Sequence, residues 1–188
     1  ADVYINKYNY VKALDYYERS LAIYKEIGEM NGVGSTLQDI GIVHHNKGDE
    51  NKALDYYERS LAIDEELGDK HGIGNSLYSI GSVHHNKGDQ DKALDYYERS
   101  LAIDEELGDK RGMGYSLNNI GIAHHNKGDQ DKALDYFERS LVIRKELGQK
   151  EGMGYSLNNI GTVYHDKGDH DKAFSYFQKA DNLLRIIE

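Results

Sequence analysis

His44 to Lys70 reads HHNKGDENKALDYYERSLAIDEELGDK, and the same stretch returns at His84 to Lys110 with only Glu50 replaced by Gln90 and Asn51 by Asp91. It returns again from His124 with more changes, each time at a shift of 40 residues. Gly41, Gly81, Gly121 and Gly161 keep this phase, as do Ala13, Ala53, Ala93, Ala133 and Ala173. All 20 glycines fall on repeated positions, so they belong to the architecture. A period of this length marks an array of supersecondary units stacked on one another.

Each period reads as two helices. Between Gly74 and Met113, the residues Leu77, Ile80, Val83 and His84 recur at three- and four-residue spacing, which defines one helical face. Lys87-Gly88-Asp89 supplies a stop and a start: Gly88 suits the left-handed position after a helix, and Asp89 suits an N-cap. The second helix carries Ala93, Leu94, Tyr97, Leu101 and Ile103 and stops near Gly108, with Asp109 as cap for the next helix. Nothing alternates with period two, so no strands are expected. Neither helix can bury its apolar face alone, and stacking of successive pairs does so through nearest-neighbour contacts.

The units with both helices begin near Gly34, Gly74, Gly114 and Gly154. Before them stands a second helix from Tyr10 to about Ile27, with only the end of its partner at residues 1–7. The expected division is a single array: a truncated repeat at 1–33, full repeats at 34–73, 74–113 and 114–153, and a last repeat at 154–188.

Composition narrows the functional class. The 188 residues include no Pro, Cys or Trp but 16 Tyr. Without cysteine there is no disulfide frame or thiolate metal site, and a cytoplasmic location is expected. No apolar run approaches the ~20 residues that span a bilayer, so no membrane partner is expected. Ala1-Asp2-Val3-Tyr4 has neither a basic nor an apolar leader segment, and the missing initiator Met suggests a fragment or processed chain. A formal net charge of −10 opposes phosphate-backbone binding, so nucleic acid is not an expected partner.

The recurring residues resemble the tetratricopeptide repeat (TPR), and the resemblance covers essentially the whole chain. In the Gly114 unit the motif residues are Leu117, Ile120, Gly121, His124, Ala133, Phe137 and Ser140. The resemblance implies an all-α fold, a right-handed α-solenoid of stacked antiparallel helix pairs. Three departures stand out. The usual aromatic is His at 44, 84 and 124 and reverts to Tyr at 164, and the proline that often ends the second helix is replaced by Lys25, Glu65, Glu105, Lys145 and Arg185. The unit has 40 residues in place of about 34. This resembles the longer-repeat subclass of kinesin light chains, Pins-type spindle adaptors and prokaryotic sensor proteins.

The resemblance further implies that the non-core face of the first helices binds an extended or helical peptide. The candidate peptide-binding residues are Gln38, Asp39 and His45; Asn75, Tyr78 and His85; Tyr115, Asn118, Asn119 and His125; and Tyr155, Asn158, Asn159 and His165. Second helices are near copies of one another, whereas most of these positions differ between units, as expected of a surface that reads a ligand. Asparagine side chains both donate and accept, which suits a peptide backbone. Tyrosines add flat contact area with a polar tip. The basic pairs by which some TPR domains clamp acidic chaperone C-termini are absent from the matching positions, which speaks against that role.

Several sharper readings weaken on inspection. The column His45, His85, His125 and His165 invites a metal, but zinc needs three or four convergent ligands and stacked helices lie about 10 Å apart. His84-type residues are therefore read as core and His85-type residues as groove hydrogen bonders, with no metal and no cofactor. Imidazoles charge near pH ~6.5, so the groove's ligand affinity is expected to depend on pH. In Tyr16-Tyr17, Tyr56-Tyr57 and Tyr96-Tyr97, one member is read as core and the other as its margin. The acidic runs Asp64-Glu65-Glu66 and Asp104-Glu105-Glu106 are read as a solvated face. No HExxH, Walker or nucleophile-elbow pattern occurs, so no enzyme is expected. A protein-binding scaffold within a larger regulatory protein is the leading expectation. The alternative is self-assembly as a homo-oligomer through uncapped solenoid ends, including Leu183-Leu184-Arg185-Ile186-Ile187.

Overall fold

The computed structural model describes residues 7–185. It contains helices α1 (Lys7–Ile27), α2 (Met30–Asn46), α3 (Glu50–Leu67), α4 (Lys70–Asn86), α5 (Gln90–Leu107), α6 (Lys110–Asn126), α7 (Gln130–Glu146), α8 (Lys150–Asp166) and α9 (His170–Leu184). No strand occurs among the described residues. Residues 1–6, where the end of a partner for α1 is expected, and Ile186 and Ile187 lie outside them.

Local chemistry places the helix ends. After α2, Gly48 takes φ +78°, while its N–H donates to His45 O at 2.9 Å and the Asp49 N–H to His44 O at 2.9 Å. These two bonds satisfy carbonyls that the last turn would leave open, and the left-handed residue between them favours glycine. Gly88 has φ +81°, as its place after α4 requires. The next helix then begins on an acidic cap: Asp89 accepts from Lys92 N at 3.3 Å, and Asp109 from Gly112 N at 3.1 Å. Turns this short force successive helices to run back along each other.

The chain forms two compact units, residues 1–88 and 89–188. In the first, α2 packs on α1, α3 and α4, and α3 packs on α4. Its core joins Val33, Leu37, Ile40 and Val43 of α2 to Ala53 and Tyr57 of α3 and to Leu77, Ile80 and Val83 of α4. In the second, α6 packs on α5, α7 and α8, while α8 packs on α7 and α9. There Ala133, Phe137, Ile160 and Val163 form one buried cluster, flanked by Ile122, Leu134, Leu141, Tyr164 and Tyr176.

Close approach explains the glycine of the core. A Cβ on Gly121 would lie 2.7 Å from Phe137 Cδ1, a distance that carbon atoms do not tolerate. The aromatic ring thus occupies the space that a side chain at 121 would need. Tyr57, Tyr97 and Phe137 are buried, while Tyr56 and Tyr96 are half-buried at the margin. Tyr16 of α1 departs from this division and is exposed.

Candidate functional site

The helix periodicity that buries Leu37, Ile40 and Val43 leaves Gln38, Asp39 and His45 half-buried on another face of α2. In the first unit, Gln38 and Asp39 meet Asn31, Ser35, Asn75 and Ser76 around a cavity of about 250 Å³. Gln38 joins α2 to α4: its Nε2 donates to Ser79 Oγ at 2.8 Å, and its Oε1 accepts from Ser76 Oγ at 3.3 Å. Burial pushes the Asp39 carboxyl above its ordinary range. Tyr78 is half-buried on α4 and Asn75 is exposed.

Asp64 also lines this cavity, with Asp69, His71 and Gly72. This corrects the reading of Asp64-Glu65-Glu66 as wholly solvated. Asp64 is only 6% exposed and Asp104 only 8%, whereas Glu65, Glu66, Glu105 and Glu106 are exposed. The Asp64 Oδ2 accepts from Ser76 Oγ at 3.2 Å and from Ser60 Oγ at 3.4 Å. Desolvation pushes the Asp64 carboxyl up, assisted by Asp69, while the two serine bonds pull the other way. Gly72 makes the room, since a Cβ there would strike the Asp64 carboxylate. The signal in the sequence was the column Tyr24, Asp64, Asp104 and Arg144, which changes character within otherwise near-copied second helices.

In the second unit, Tyr115, Asn118 and Tyr155 line a cavity of about 450 Å³ with Arg111, Arg144, Gln149, Lys150, Glu151 and Gly152. Arg144 holds the position that Asp104 and Asp64 hold one and two repeats earlier, and it is 5% exposed. Its Nε donates to Ser140 Oγ at 3.1 Å and its Nη2 to Gly114 O at 3.3 Å. Its guanidinium carbon sits 5.0 Å from the centroid of the Tyr115 ring. Tyr155 Oη donates to Glu151 Oε1 at 3.0 Å. Asn159 Nδ2 donates to Asn118 Oδ1 at 3.0 Å, so two candidate residues on α8 and α6 engage each other. Asn158 contributes its backbone carbonyl to Thr162 Oγ1 at 3.0 Å, while Asn119 is half-buried on α6.

The two histidine columns separate. His44, His84 and His124 are buried. His44 stacks on Tyr56 with centroids 5.5 Å apart, and His124 on Tyr136 at the same distance. Tyr164 stacks on Tyr176 in the same place, so imidazole and phenol are interchangeable flat fillers here. The second column is tied to carboxylates. His45 Nδ1 lies 3.0 Å from Glu50 Oε2, His125 Nε2 lies 3.2 Å from Asp166 Oδ2, and His165 Nδ1 lies 3.3 Å from Asp166 Oδ1. His85 is half-buried on α4. Among the described residues no three His, Asp or Glu side chains converge on a point where a metal would sit. No helix there is long and apolar enough to cross a membrane.

Comparison with known proteins matches this architecture. No curated protein matches the chain. Among solved structures, BtubC (BKLC) from P. vanneervenii is 22% identical, with a TM-score of 0.87 over 95% of this chain and 74% of that one. A putative kinesin light chain with nearly identical TPR-like repeats from Podosopora anserina is 14% identical, with a TM-score of 0.74 over 95% of this chain and 89% of that one. A Rap protein complexed with Competence and Sporulation Factor is 17% identical, with a TM-score of 0.78 over 95% of this chain and 50% of that one. At these identities the likeness concerns the α-solenoid fold. The tetratricopeptide repeat profile matches residues 1–66, 32–106 and 112–185. With these matches spanning nearly its whole length, and with helix pairs stacked on a forty-residue phase, the chain belongs to the tetratricopeptide repeat family.

Proposed function

We propose that the chain is a binding module that holds a segment of another protein against the first-helix faces, α2 and α4 in one unit and α6 and α8 in the other. The observation that carries this reading is that each unit has a cavity lined by hydrogen-bonding side chains from successive first helices. Those side chains differ among the repeats that begin at Gly34, Gly74 and Gly114, whose second helices are near copies, while the last repeat keeps Tyr155, Asn158 and Asn159 in place of Tyr115, Asn118 and Asn119. The Rap protein above was solved with a bound factor, which supports a comparable use of this fold. The reading is of a non-enzymatic scaffold. A cysteine-free composition is consistent with a cytoplasmic setting.

The test is a capture experiment from lysate of the source organism. It compares the chain with an Asn118/Asn119/Asn158/Asn159→Ala variant that circular dichroism shows to be folded. A protein held by the parent and lost by the variant is the expected result. Identical captures from both would remove the groove from consideration.

A second reading, self-association, draws on a different observation. Val11, Ile23 and Ile27 of α1 and Phe174 of α9 are all exposed apolar side chains. Light scattering across a concentration series decides it, since a constant monomer mass leaves those side chains without this role.

A further inference from the structure

Helices α3 and α7 show in full how a second helix meets its own first helix. On α3, Tyr57 fills the space beside Gly41, the Ser60 hydroxyl donates to Gly34 O at 2.9 Å, and Tyr56 stacks on His44. On α7, Phe137, Ser140 and Tyr136 meet Gly121, Gly114 O and His124 in the same way. Helix α1 carries the same set in phase, as Tyr17, Ser20 and Tyr16, together with Ala13 and Ile23. Ala53, Tyr57 and Ser60 are at most 2% exposed, whereas Ala13, Tyr17 and Ser20 are only half-buried and Tyr16 and Ile23 are exposed. Helix α3 is held between α2 and α4, but among the described residues the helix that packs on α1 is α2, which follows it. The reversal that lays a first helix on α3 and α7 is also replaced. It consists of Lys47-Gly48-Asp49 and Lys127-Gly128-Asp129, with both glycines at positive φ. In the same phase Lys7, Tyr8 and Asn9 are helical and belong to α1.

We propose that this uncovered face of α1 is a docking site for a helix of another protein, one that carries the first-helix signature of the array. That signature is two glycines seven residues apart and a flat ring three residues after the second, as in Gly34, Gly41 and His44 or Gly114, Gly121 and His124. Each part has a physical reason. The second glycine admits the aromatic ring: a Cβ on Gly41 would lie 2.5 Å from Tyr57 Cε1, and Tyr17 makes the same demand of its partner. The first glycine leaves its carbonyl open to the serine hydroxyl, the part that Ser20 would play. Beside it packs the isoleucine, since Ile63 Cγ2 would lie 3.4 Å from a Cβ on Gly34, and Ile23 holds that place on α1. The flat ring stacks on the second tyrosine, here Tyr16, which already carries Arg19 at 6.0 Å as Tyr56 carries Arg59 at 5.0 Å. The face thus continues an interface that the array repeats, and the repeats define what fits it. In a second copy of the chain, α2, α6 and α8 each already lie between two second helices and so are not available to it. Recognition of an amphipathic helix through anchors a few residues apart is a general mode of binding. None of these α1 residues lines the cavity of the first unit, so the proposal goes beyond the groove reading and does not depend on it.

The test is an NMR titration of the full ¹⁵N-labelled chain with an acetylated, amidated peptide of the α6 sequence, KRGMGYSLNNIGIAHHN, which carries the signature. A second peptide has G121L. Leucine raises helix propensity and apolar area, so indiscriminate binding to an apolar face favours the G121L peptide, whereas the Tyr17 ring leaves it no room. The expected result is that the unaltered peptide shifts the amides of Tyr17, Ser20 and Ile23 and binds about tenfold tighter than the G121L peptide. In the chain, I23D lies at an exposed position and should weaken the unaltered peptide about tenfold. Should circular dichroism show I23D unfolded, Y16A, also at an exposed position, takes its place and removes the ring on which the peptide histidine stacks. The proposal is overturned if no amide of α1 shifts, if the G121L peptide binds equally or more tightly, or if a folded variant binds undiminished. It is overturned in favour of self-association if the same amides shift on dilution of the chain alone while its mass halves. Shifts confined to Asn118 and Asn158 overturn it as well and leave the groove reading standing.

Discussion

At the scale of single residues, two glycines of the same helix carry opposite consequences. A Cβ at Gly121 would sit 2.7 Å from Phe137, whereas one at Gly114 would meet Arg144 Cγ at 3.7 Å, an ordinary contact. Alanine gains about 1 kcal/mol over glycine in a helix interior, and overpacking costs about 1–3 kcal/mol. G121A should therefore lower the urea midpoint, and G114A should leave it unchanged or raise it. Equal shifts in both would show that propensity alone is at work. Asp64 supports a second prediction, about pH. Its folded carboxyl titrates above the ordinary 3.8, chiefly through desolvation, so the folded state binds more protons than the unfolded chain between those two values. Stability associated with this group is present below the unfolded value and is lost as pH rises through the folded one. In D64N the amide keeps partners in Ser60 and Ser76 and cannot ionise. The variant should therefore gain on the parent as pH rises from about 3 to 7, measured by thermal unfolding across that range. A parallel pair of curves would remove Asp64 as the cause.

At the scale of the helix, the caps differ in a way the repeat does not advertise. Asp109 accepts from both Arg111 N, at 2.9 Å, and Gly112 N, at 3.1 Å, whereas Gln149 at the same place in α8 makes no such bond. D109A should cost about 1 kcal/mol and Q149A close to nothing. Chemical denaturation of the two variants settles the comparison, and a Q149A loss as large as that of D109A would contradict the cap assignment. Asp49 and Asp129 also make no cap bond; each instead lies 3.3 Å from the buried imidazole one turn back, at His44 and His124. The same carboxylate thus serves either a helix start or a core histidine.

At the scale of the molecule, helices in a stacked array are stabilised by their neighbours, so stability varies along the chain. Helix α1 has no buried side chain among its described residues, while α6 buries Leu117, Ile120, Ala123 and His124. Amide hydrogen exchange should show α1 opening well before α6. Uniform protection across both helices would mean that the array unfolds as one cooperative block.

The forty-residue phase, the helix ends and the buried apolar face were legible in the order of residues, because each depends on chain neighbours a turn or two away. Gly48 and Asp89 announce their roles through backbone conformation and reach, and Leu117 and Ile120 through spacing. The burial of Asp64 was not legible, since its run reads as polar helix surface, and the spacing of apolar residues did not mark Arg144 as interior. They are interior because glycines at 72 and 152, on the following helix, let the backbone come close enough to cover them. Likewise, the bond from Asn159 to Asn118 joins residues 41 apart, and the proximity that makes it arises only when α6 and α8 stack. Periodicity can show which face of a helix is apolar, but only packing decides which polar groups are taken out of water with it.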